Sequence, residues 1–340
     1  MSTIRDVAEL AKVSTATVSR VINNDTTYKM TPETKNRVLD AVTKLNYKSH
    51  HFAKTQPLRG FVPQQKTNVK IGCVLSVTKD KYNDPYFMAI LSGVEEQLQK
   101  NGYELAYLRT GAELEDKITL YNTFNEPVTG LILMESLKPE TYAYIHEKVP
   151  FIVGIDTMHS DIDNVGYDHY EVATKAVQHL IEKGHTKIGF IGGNGQHESI
   201  RGSMRYKGFY STMHAAGLTV NLDWVINCQW DEQLCMEGVT RLCHLEDRPT
   251  ALFAASDLMA MAALSSLYMN GVSVPNEMAV IGLSNIDLSK YSNPPLTTLE
   301  VPTRELGVVA VELLLSRING DDLLPKKVIL PTRLVSRSST

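Results

Sequence analysis

The sequence predicts a small all-α head followed by an α/β core of two doubly wound parallel-sheet subdomains. Two patterns indicate this. Within residues 3–45, apolar side chains recur at helical spacing in short segments. From Val69 onward, continuous apolar runs alternate with amphipathic segments, which is typical of parallel strands covered by helices on both faces. The 340 residues are enough for two or three domains.

The head begins with two short amphipathic segments separated by a tight turn. The apolar positions of the first are Ile4, Val7, Ala8 and Ala11, and those of the second are Val13, Val18, Val21 and Ile22. Ser14 is predicted to cap the second helix, because its hydroxyl can accept an otherwise unpaired backbone N–H. A third helix is predicted from Thr31 as N-cap and Pro32 at the first helical position, to about Leu45.

The outward positions of the second helix carry small hydroxyls and one arginine. They are Thr15, Ala16, Thr17, Ser19 and Arg20. Such a short, polar and almost uncharged helix suits insertion into a DNA major groove. The alternative is an ordinary surface helical hairpin, which periodicity alone does not exclude.

The charge distribution favours the DNA-binding interpretation. The whole chain carries −4, but ten basic and five acidic residues give residues 1–60 a charge of +5, and the remaining 24 basic and 33 acidic residues give −9. A basic head on an acidic body indicates nucleic acid at one end only. The N-terminus carries no apolar signal segment, and no run is long enough to span a membrane.

The body contains six apolar runs that predict strands and five amphipathic segments that predict helices. The strands are 70–76, 130–134, 151–155, 187–191, 251–254 and 278–282, and the helices are 88–100, 172–183, 203–216, 233–245 and 258–270. Parallel sheets of this kind bind ligands at the carboxyl ends of their strands. A ligand-binding cleft is therefore expected between two such subdomains.

The head closely resembles the helix-turn-helix of the lactose-repressor/galactose-repressor family of bacterial transcription factors. The match runs from Thr3-Ile-Arg-Asp-Val-Ala to Thr17-Val-Ser-Arg-Val-Ile-Asn23 and continues through Thr31-Pro-Glu-Thr-Lys35 and 41–47. The segments 294–298 and 330–339 are also similar to the family. The resemblance implies a periplasmic-binding-protein-like core hinged around a small effector.

The resemblance also implies domain boundaries. They are a head at 1–58, a hinge or linker at 48–68 and a core at 69–340. Within the core, the first subdomain would comprise 69–166 and 294–320, and the second 167–290 and 321–340.

Roles at the operator follow from the same resemblance. Thr15, Ala16 and Arg20 would face base edges, while Thr3, Ser14, Thr17, Ser19 and Asn23 would contact phosphates. In the linker, His50, Ala53, Lys54 and Gln56 take positions at which the family contacts DNA.

The linker departs from the family pattern, which is Tyr-x-Pro-Asn-x-x-Ala-Arg-x-Leu. That segment folds as a hinge helix whose leucine is a wedge in the minor groove. Here Gln56 occupies the wedge position and Pro57 would end any helix. Ser49 and His50 replace the proline and asparagine. The sequence therefore argues against the wedge mechanism. Lys54 still provides a positive charge that can contact DNA phosphates.

Two residues are predicted to bind the effector in the second subdomain. The family uses the arginine at the position of Arg205 to hydrogen-bond effector hydroxyls through its planar guanidinium. Family members with sugar effectors have a tryptophan at the place of Trp230, where an indole can stack on a pyranose. The alternatives are a solvated arginine at a helix end and an indole packed on the domain.

Further effector contacts are expected at Tyr86, Asp156, Ser256, Ser284 and Asn285. Most follow strands, where they would line the cleft. Asp257 is interpreted as mainly structural, because Ser-Asp is a common pair at helix starts. Neutral Ser284 and Asn285 stand where many family members carry acids. Tyr86 belongs to Asn83-Asp-Pro-Tyr-Phe87, which resembles galactose- or galactoside-responsive members.

No enzyme signature is found in the sequence. The glycine-rich run 189–195 lacks the register of a dinucleotide fold and the ending of a phosphate-binding loop, which favours a tight turn. Cys73, Cys228, Cys235 and Cys243 have no paired metal spacing. We therefore expect no cofactor and no metal.

The sequence as a whole predicts an allosteric transcriptional repressor of a sugar-utilisation operon, released by galactose or a galactoside. It would be a cytoplasmic, nucleoid-associated homodimer, or a higher oligomer, on pseudo-palindromic double-stranded operator DNA. The alternatives are a regulator of the same family that answers to a nucleobase or a phosphocarrier protein, or a cytoplasmic sugar-binding protein.

Overall fold

The computed structural model describes residues 3–22, 30–45, 47, 69–76, 83–193 and 199–340. In the head, the helices are α1 (Ile4–Ala11), α2 (Thr15–Ile22) and α3 (Pro32–Lys44). Their apolar faces meet in one cluster that includes Val7, Val18 and Val38, each fully buried. The three predicted helices are confirmed.

The first sheet is formed by five strands from residues 71–166 and by one strand from near the C-terminus. Its strands are β1 (Ile71–Leu75), β2 (Leu105–Thr110), β3 (Gly130–Met134), β4 (Phe151–Ile155), β5 (Asp163–Gly166) and β11 (Lys327–Ile329), in the order β11-β5-β4-β3-β1-β2. The pairs β1–β2, β1–β3 and β3–β4 are parallel. The connecting helices are α4 (Pro85–Lys100), α5 (Gly111–Leu114), α6 (Lys117–Phe124) and α7 (Pro139–Lys148).

The second sheet has the same size and kind. Its strands are β6 (Ile188–Gly192), β7 (Val225–Asn227), β8 (Ala251–Ala254), β9 (Ala279–Ser284), β10 (Thr297–Glu300) and β12 (Arg333–Val335), in the order β12-β10-β9-β8-β6-β7. All its pairs are parallel except β10–β12. Its helices are α8 (His169–Glu182), α9 (Met204–Ala215), α10 (Glu232–Cys243) and α11 (Asp257–Met269), and α12 (Thr303–Ile318) follows β10.

The chain divides into two compact units. Unit 1 comprises 1–82, 95–164 and 310–325, and unit 2 comprises 83–94, 165–309 and 326–340. The predicted parallel-sheet subdomains are confirmed, but several boundaries differ. Residues 83–94 were expected in the first subdomain and fall in unit 2, and residues 321–325 were expected in the second and fall in unit 1. Residues 294–309 were expected in the first subdomain, whereas β10 pairs with β9 in the second sheet. Residues 326–340 fall in unit 2, as expected, although their strand β11 pairs with β5 in the first sheet.

The six predicted strands are all present because each is fully or almost fully buried and continuously apolar, as in Ile71–Leu75 and Gly130–Met134. Helices α8 and α9 pack closely in unit 2. Gly208 of α9 makes this possible, because a Cβ there would lie 2.4 Å from the carbonyl oxygen of Tyr170 on α8.

A buried ion pair connects α12 to the first sheet. Arg317 Nε and Nη2 donate to the two carboxylate oxygens of Asp163 at 2.7 and 2.8 Å. The remaining guanidinium hydrogens reach the carbonyl oxygens of Asp321, Leu323 and Leu324. Only 2% of the Asp163 side chain is exposed, so its charge depends on this arginine.

Replacing Arg317 by alanine is expected to destabilise unit 1 by about 3–5 kcal/mol, because it strands a buried carboxylate. Both tryptophans lie in unit 2, so their fluorescence does not report on unit 1. Denaturant unfolding is therefore followed by far-UV circular dichroism. The control is Lys70→Ala, which breaks an ion pair to Glu126 whose two side chains are about half exposed; it should cost no more than about 1 kcal/mol. Equal losses for the two variants would contradict the argument.

Candidate DNA-reading head and effector site

Helix α2, which the sequence predicts to enter a DNA major groove, is positioned by local caps. Thr3 caps α1: its hydroxyl accepts from Asp6 N–H, and its own backbone N–H donates to the Asp6 carboxylate at 2.6 Å. The Thr3 backbone N–H and hydroxyl both donate to the Asp6 carboxylate and lower its pKa. Lys12 makes the turn with a positive φ of 54°. Ser14 then accepts from Thr17 N–H at 3.1 Å, which confirms the predicted cap of α2.

Burial divides α2 into an inner and an outer face. Val18, Val21 and Ile22 are buried in the head core. The predicted DNA-binding residues lie opposite: Ser14, Thr15, Ala16 and Arg20 are exposed, and Thr17 and Ser19 are half-buried. Thr3 is exposed at the start of α1. Of the other predicted contacts, Asn23, His50, Ala53, Lys54 and Gln56 lie outside the described residues.

In unit 2, four parallel strands end at one edge of the sheet and bring several predicted effector residues to that edge. Gly193 follows β6, Trp230 follows β7, Ser256 follows β8, and Ser284 ends β9 just before Asn285. The carboxyl edge of such a sheet is where α/β folds bind ligands.

Three of these residues have strained backbones. Trp230, Ser284 and Asn285 have φ values of 63°, 124° and 56°. Positive φ is costly for residues with a Cβ, most of all for a bulky one, and such strain concentrates at ligand-binding sites. Asp156, at the end of β4 in unit 1, also has a positive φ, of 53°.

Trp230 and Arg205 form the centre of the unit 2 edge. The Arg205 guanidinium carbon lies 5.5 Å from the centroid of the Trp230 ring, within the range of a cation–π contact. Arg205 Nη2 also donates to the Tyr167 hydroxyl at 2.5 Å, which orients the guanidinium plane. The indole lies against Gly193, where a Cβ would fall 2.5 Å from its Nε1 atom.

Gly193 therefore has a specific use. The glycine-rich run 189–195 was interpreted as a tight turn, and the described part of it also makes room for the indole of Trp230. Arg205 itself is positioned by α9, whose N-cap Ser203 accepts from Tyr206 N–H at 3.1 Å. The indole is half-buried and packs against the core formed by α10 and α11.

Ser256 and Asn285 are more engaged in the fold than expected of ligand contacts. Ser256 caps α11 by accepting from Met259 N–H at 3.2 Å. The Asn285 side chain accepts from Arg337 Nη2 at 2.6 Å and donates to Glu300 at 3.4 Å. Ser284 is buried. Their contact with an effector stays a prediction.

Asp257, interpreted from the sequence as mainly structural, makes contacts that reach further along the chain than a helix cap does. Its two carboxylate oxygens accept from the Thr298 hydroxyl at 2.5 Å and from Ile286 N–H at 2.9 Å. It thereby ties the start of α11 to β10 and to the loop that carries Ser284 and Asn285. Burial raises its pKa to about 6, against the lowering effect of these donors. No local pattern reveals these partners, which lie 29 and 41 residues away.

The remaining predicted positions are described within their own units. Tyr86 lies at the start of α4, where its N–H donates to Asp84 at 2.9 Å and its ring meets Phe87 edge-on. Within the described parts of the chain, no group of three or more His, Cys, Asp or Glu side chains could hold a metal ion. Over the same residues, no helix is both long and apolar enough to cross a membrane.

Comparisons with known proteins agree with this architecture. A family model described as "Bacterial regulatory proteins, lacI family" matches residues 3–50, and one described as "Periplasmic binding protein-like domain" matches residues 177–340. A curated relative from Aliivibrio salmonicida, "HTH-type transcriptional repressor PurR", is 38% identical over 327 residues, covering 94% of this chain and 92% of the relative. Its namesake from Photobacterium profundum is 34% identical over 351 residues, covering 100% and 98%.

Two solved structures are similar over nearly the full length. The "transcriptional regulator CelR-cellobiose complex" has a TM-score of 0.73 and 27% identity, with 100% of both chains covered. The lac repressor dimer bound to operator and the anti-inducer ONPF has a TM-score of 0.70 and 23% identity, with 99% of this chain and 98% of that chain covered. The second likeness is one of fold.

The raised pKa of Asp257 makes a prediction about stability. The folded state holds the proton more tightly than the unfolded chain, whose pKa is 3.8. Stability from this group is therefore full below about pH 4 and falls as pH rises to about 6, by about 3 kcal/mol in all. Asp257→Asn should remove that slope. Unfolding of both proteins at pH 4.5 and pH 7 measures it, and a stability difference between them that does not change with pH would contradict it.

Proposed function

Because the chain belongs to the LacI family of bacterial regulatory proteins, we propose that it is a repressor whose operator binding is controlled by a sugar effector. DNA-binding transcriptional repression is the function of the family, and the chain is not an enzyme. The family resemblance predicted from the sequence is confirmed. The finer expectation of galactose or a galactoside belongs to this proposal, since the curated relatives are named PurR.

The Arg205–Trp230 pair carries the effector proposal. A pyranose has an apolar C–H face that packs on an indole, and its hydroxyl oxygens accept from a planar guanidinium. Unit 2 provides the two groups side by side at the carboxyl edge of its sheet. The solved relative in complex with cellobiose, at 27% identity over the full chain, supports a sugar in such a core.

A nucleobase is the second candidate. The name PurR, shared by relatives 34–38% identical over nearly the whole chain, favours a purine. A purine would also stack on Trp230 and accept from Arg205 through its carbonyl oxygen. The geometry of the pair suits both ligands, and the assay below distinguishes them because it includes sugars and purines.

At the operator, we propose that two copies of the chain present their α2 helices to half-sites of a pseudo-palindrome in the cytoplasm. Exposed Thr15, Ala16 and Arg20 would face base edges, and Thr3, Ser14, Thr17 and Ser19 would contact phosphates. Effector binding would be reciprocal with DNA binding: each lowers the affinity for the other by the same factor.

A mobility-shift assay tests this function directly. The probe is the DNA upstream of the protein's own coding sequence, in low salt, with galactose, lactose, cellobiose, guanine and hypoxanthine added in turn. We expect a shifted complex that a sugar dissociates. A complex that only the purines change would overturn the sugar effector, and the lack of a sequence-specific complex would overturn the operator assignment.

Two arginine variants should separate the two activities. Arg205→Ala is expected to leave operator affinity within about twofold and abolish the effector response, because it removes a fork of hydrogen bonds worth about 1.5–3 kcal/mol. Lys207→Ala on the same helix removes the same charge from an exposed position and should keep the response.

In the head, Arg20→Ala is expected to weaken specific operator binding by about 1–3 kcal/mol and leave effector affinity intact. Arg37→Ala on α3 is the control of equal charge. Effector affinity is measured by calorimetry on the free protein. Loss of the effector response in the Arg20 variant at saturating protein, with operator bound, would argue against this division of roles.

A further inference from the structure

Helix α6 in unit 1 has two apolar faces. Phe124, with Leu120 half-buried beside it, packs into the core of the first sheet. Ile118 and Tyr121, one turn apart, belong instead to the hydrophobic cluster of the head. Only 2% of Ile118 and 8% of Tyr121 are exposed. Since their cluster partners are head residues, this second face would be open to water without the head.

The head meets this face with the end of α3. Val38, Ala41 and Val42 are buried in the shared cluster, and Tyr47 is partly buried against it. An apolar face that meets an apolar helix of the same chain excludes water from both.

Two polar contacts fix the register of this docking. The Tyr121 hydroxyl donates to the backbone carbonyl of Tyr47. Burial raises the pKa of Tyr121 to about 12, so its hydroxyl keeps its proton well above neutral pH. At the rim, Lys117 Nζ lies 3.1 Å from an Asp40 carboxylate oxygen, an exposed pair that orients more than it stabilises.

The docking leaves the DNA-reading surface open. Thr15, Ala16 and Arg20 on α2 are exposed while α3 contacts α6. The contact therefore holds the head without covering its recognition helix.

We propose that the Ile118–Tyr121 face of α6 is a docking surface for the DNA-binding head of the same chain, which fixes the orientation of α2 and connects it to the core in addition to linker 48–68. This proposal rests on the chain being an operator-binding repressor and is independent of which effector it takes. Pre-orientation lowers the conformational cost of operator binding.

Substitutions on α6 test the docking through operator affinity. Ile118→Ser should weaken operator binding on the order of tenfold, the size of a typical coupling between sites. Tyr121→Phe, which keeps the ring and loses the hydrogen bond, should cause a smaller loss of affinity. Asn122→Ala, at an exposed position on the same helix, is the matched control. Unchanged thermal unfolding of the core shows that α6 is intact.

Wild-type operator affinity in both Ile118→Ser and Tyr121→Phe would overturn the proposal. If Ile118→Ser lowers the thermal midpoint of the core, the test uses Tyr121→Phe alone, because that variant leaves the apolar packing in place.

Cross-linking tests the contact without DNA. In the full chain with Cys243→Ser, the pair Asp40→Cys and Lys117→Cys is treated with a short bismaleimide. Limited digestion with trypsin follows, since segment 48–68 contains Lys48, Lys54 and Arg59. We expect the head to stay covalently attached to the core, and less of it to do so when Ile118→Ser is added. The single cysteine variants are controls. Cross-links that form only between co-expressed single variants would place the head on another chain and overturn docking within one chain.

Discussion

At the carboxyl edge of the unit 2 sheet, a buried carboxylate holds a strained loop. Ser284 and Asn285 follow each other with positive φ, a conformation that an isolated chain would leave. Asp257 accepts from the next N–H, that of Ile286, and from the hydroxyl of Thr298. Taking this carboxylate out of water is costly, as the raised pKa shows, and the two donors offset part of that cost. The strain is thus maintained by groups from other parts of the sheet.

A second strained residue, also held by groups from other parts of the sheet, lies where β7 ends. Trp230 has positive φ, and its indole lies over Gly193, the residue without a Cβ at the end of the neighbouring strand. Arg205 lies beside the ring and is itself oriented by Tyr167. Each feature is local in sequence, but their conjunction requires parallel strands to end together. The placement of an indole ring beside a planar guanidinium is therefore a consequence of the topology.

Much of this fold could be predicted because buried parallel strands are continuously apolar, as in Ala279–Ser284, and because capping residues mark helix starts, as Ser14 does. Strand β10 could not, since Thr297-Thr-Leu-Glu300 is as polar as a loop. Its hydroxyls are satisfied by distant partners, with Thr298 bonded to Asp257 and Thr297 to the backbone of Arg337. Asp257 was interpreted as part of a helix cap for the same reason: local spacing describes caps, whereas its true partners come from β10 and the following loop.

The head poses a problem of geometry that sequence similarity alone leaves open. In general, a flexible linker of about 21 residues lets its ends lie about 25 Å apart. Half-sites of an operator lie about 34 Å apart, so heads held only by such a segment would carry little information about spacing. The family solves this with a hinge helix and a leucine wedge, and Gln56 with Pro57 departs from that pattern. Under the proposed docking, the contact of α3 with α6 would supply such a constraint, because it would transfer the position of the core to the head.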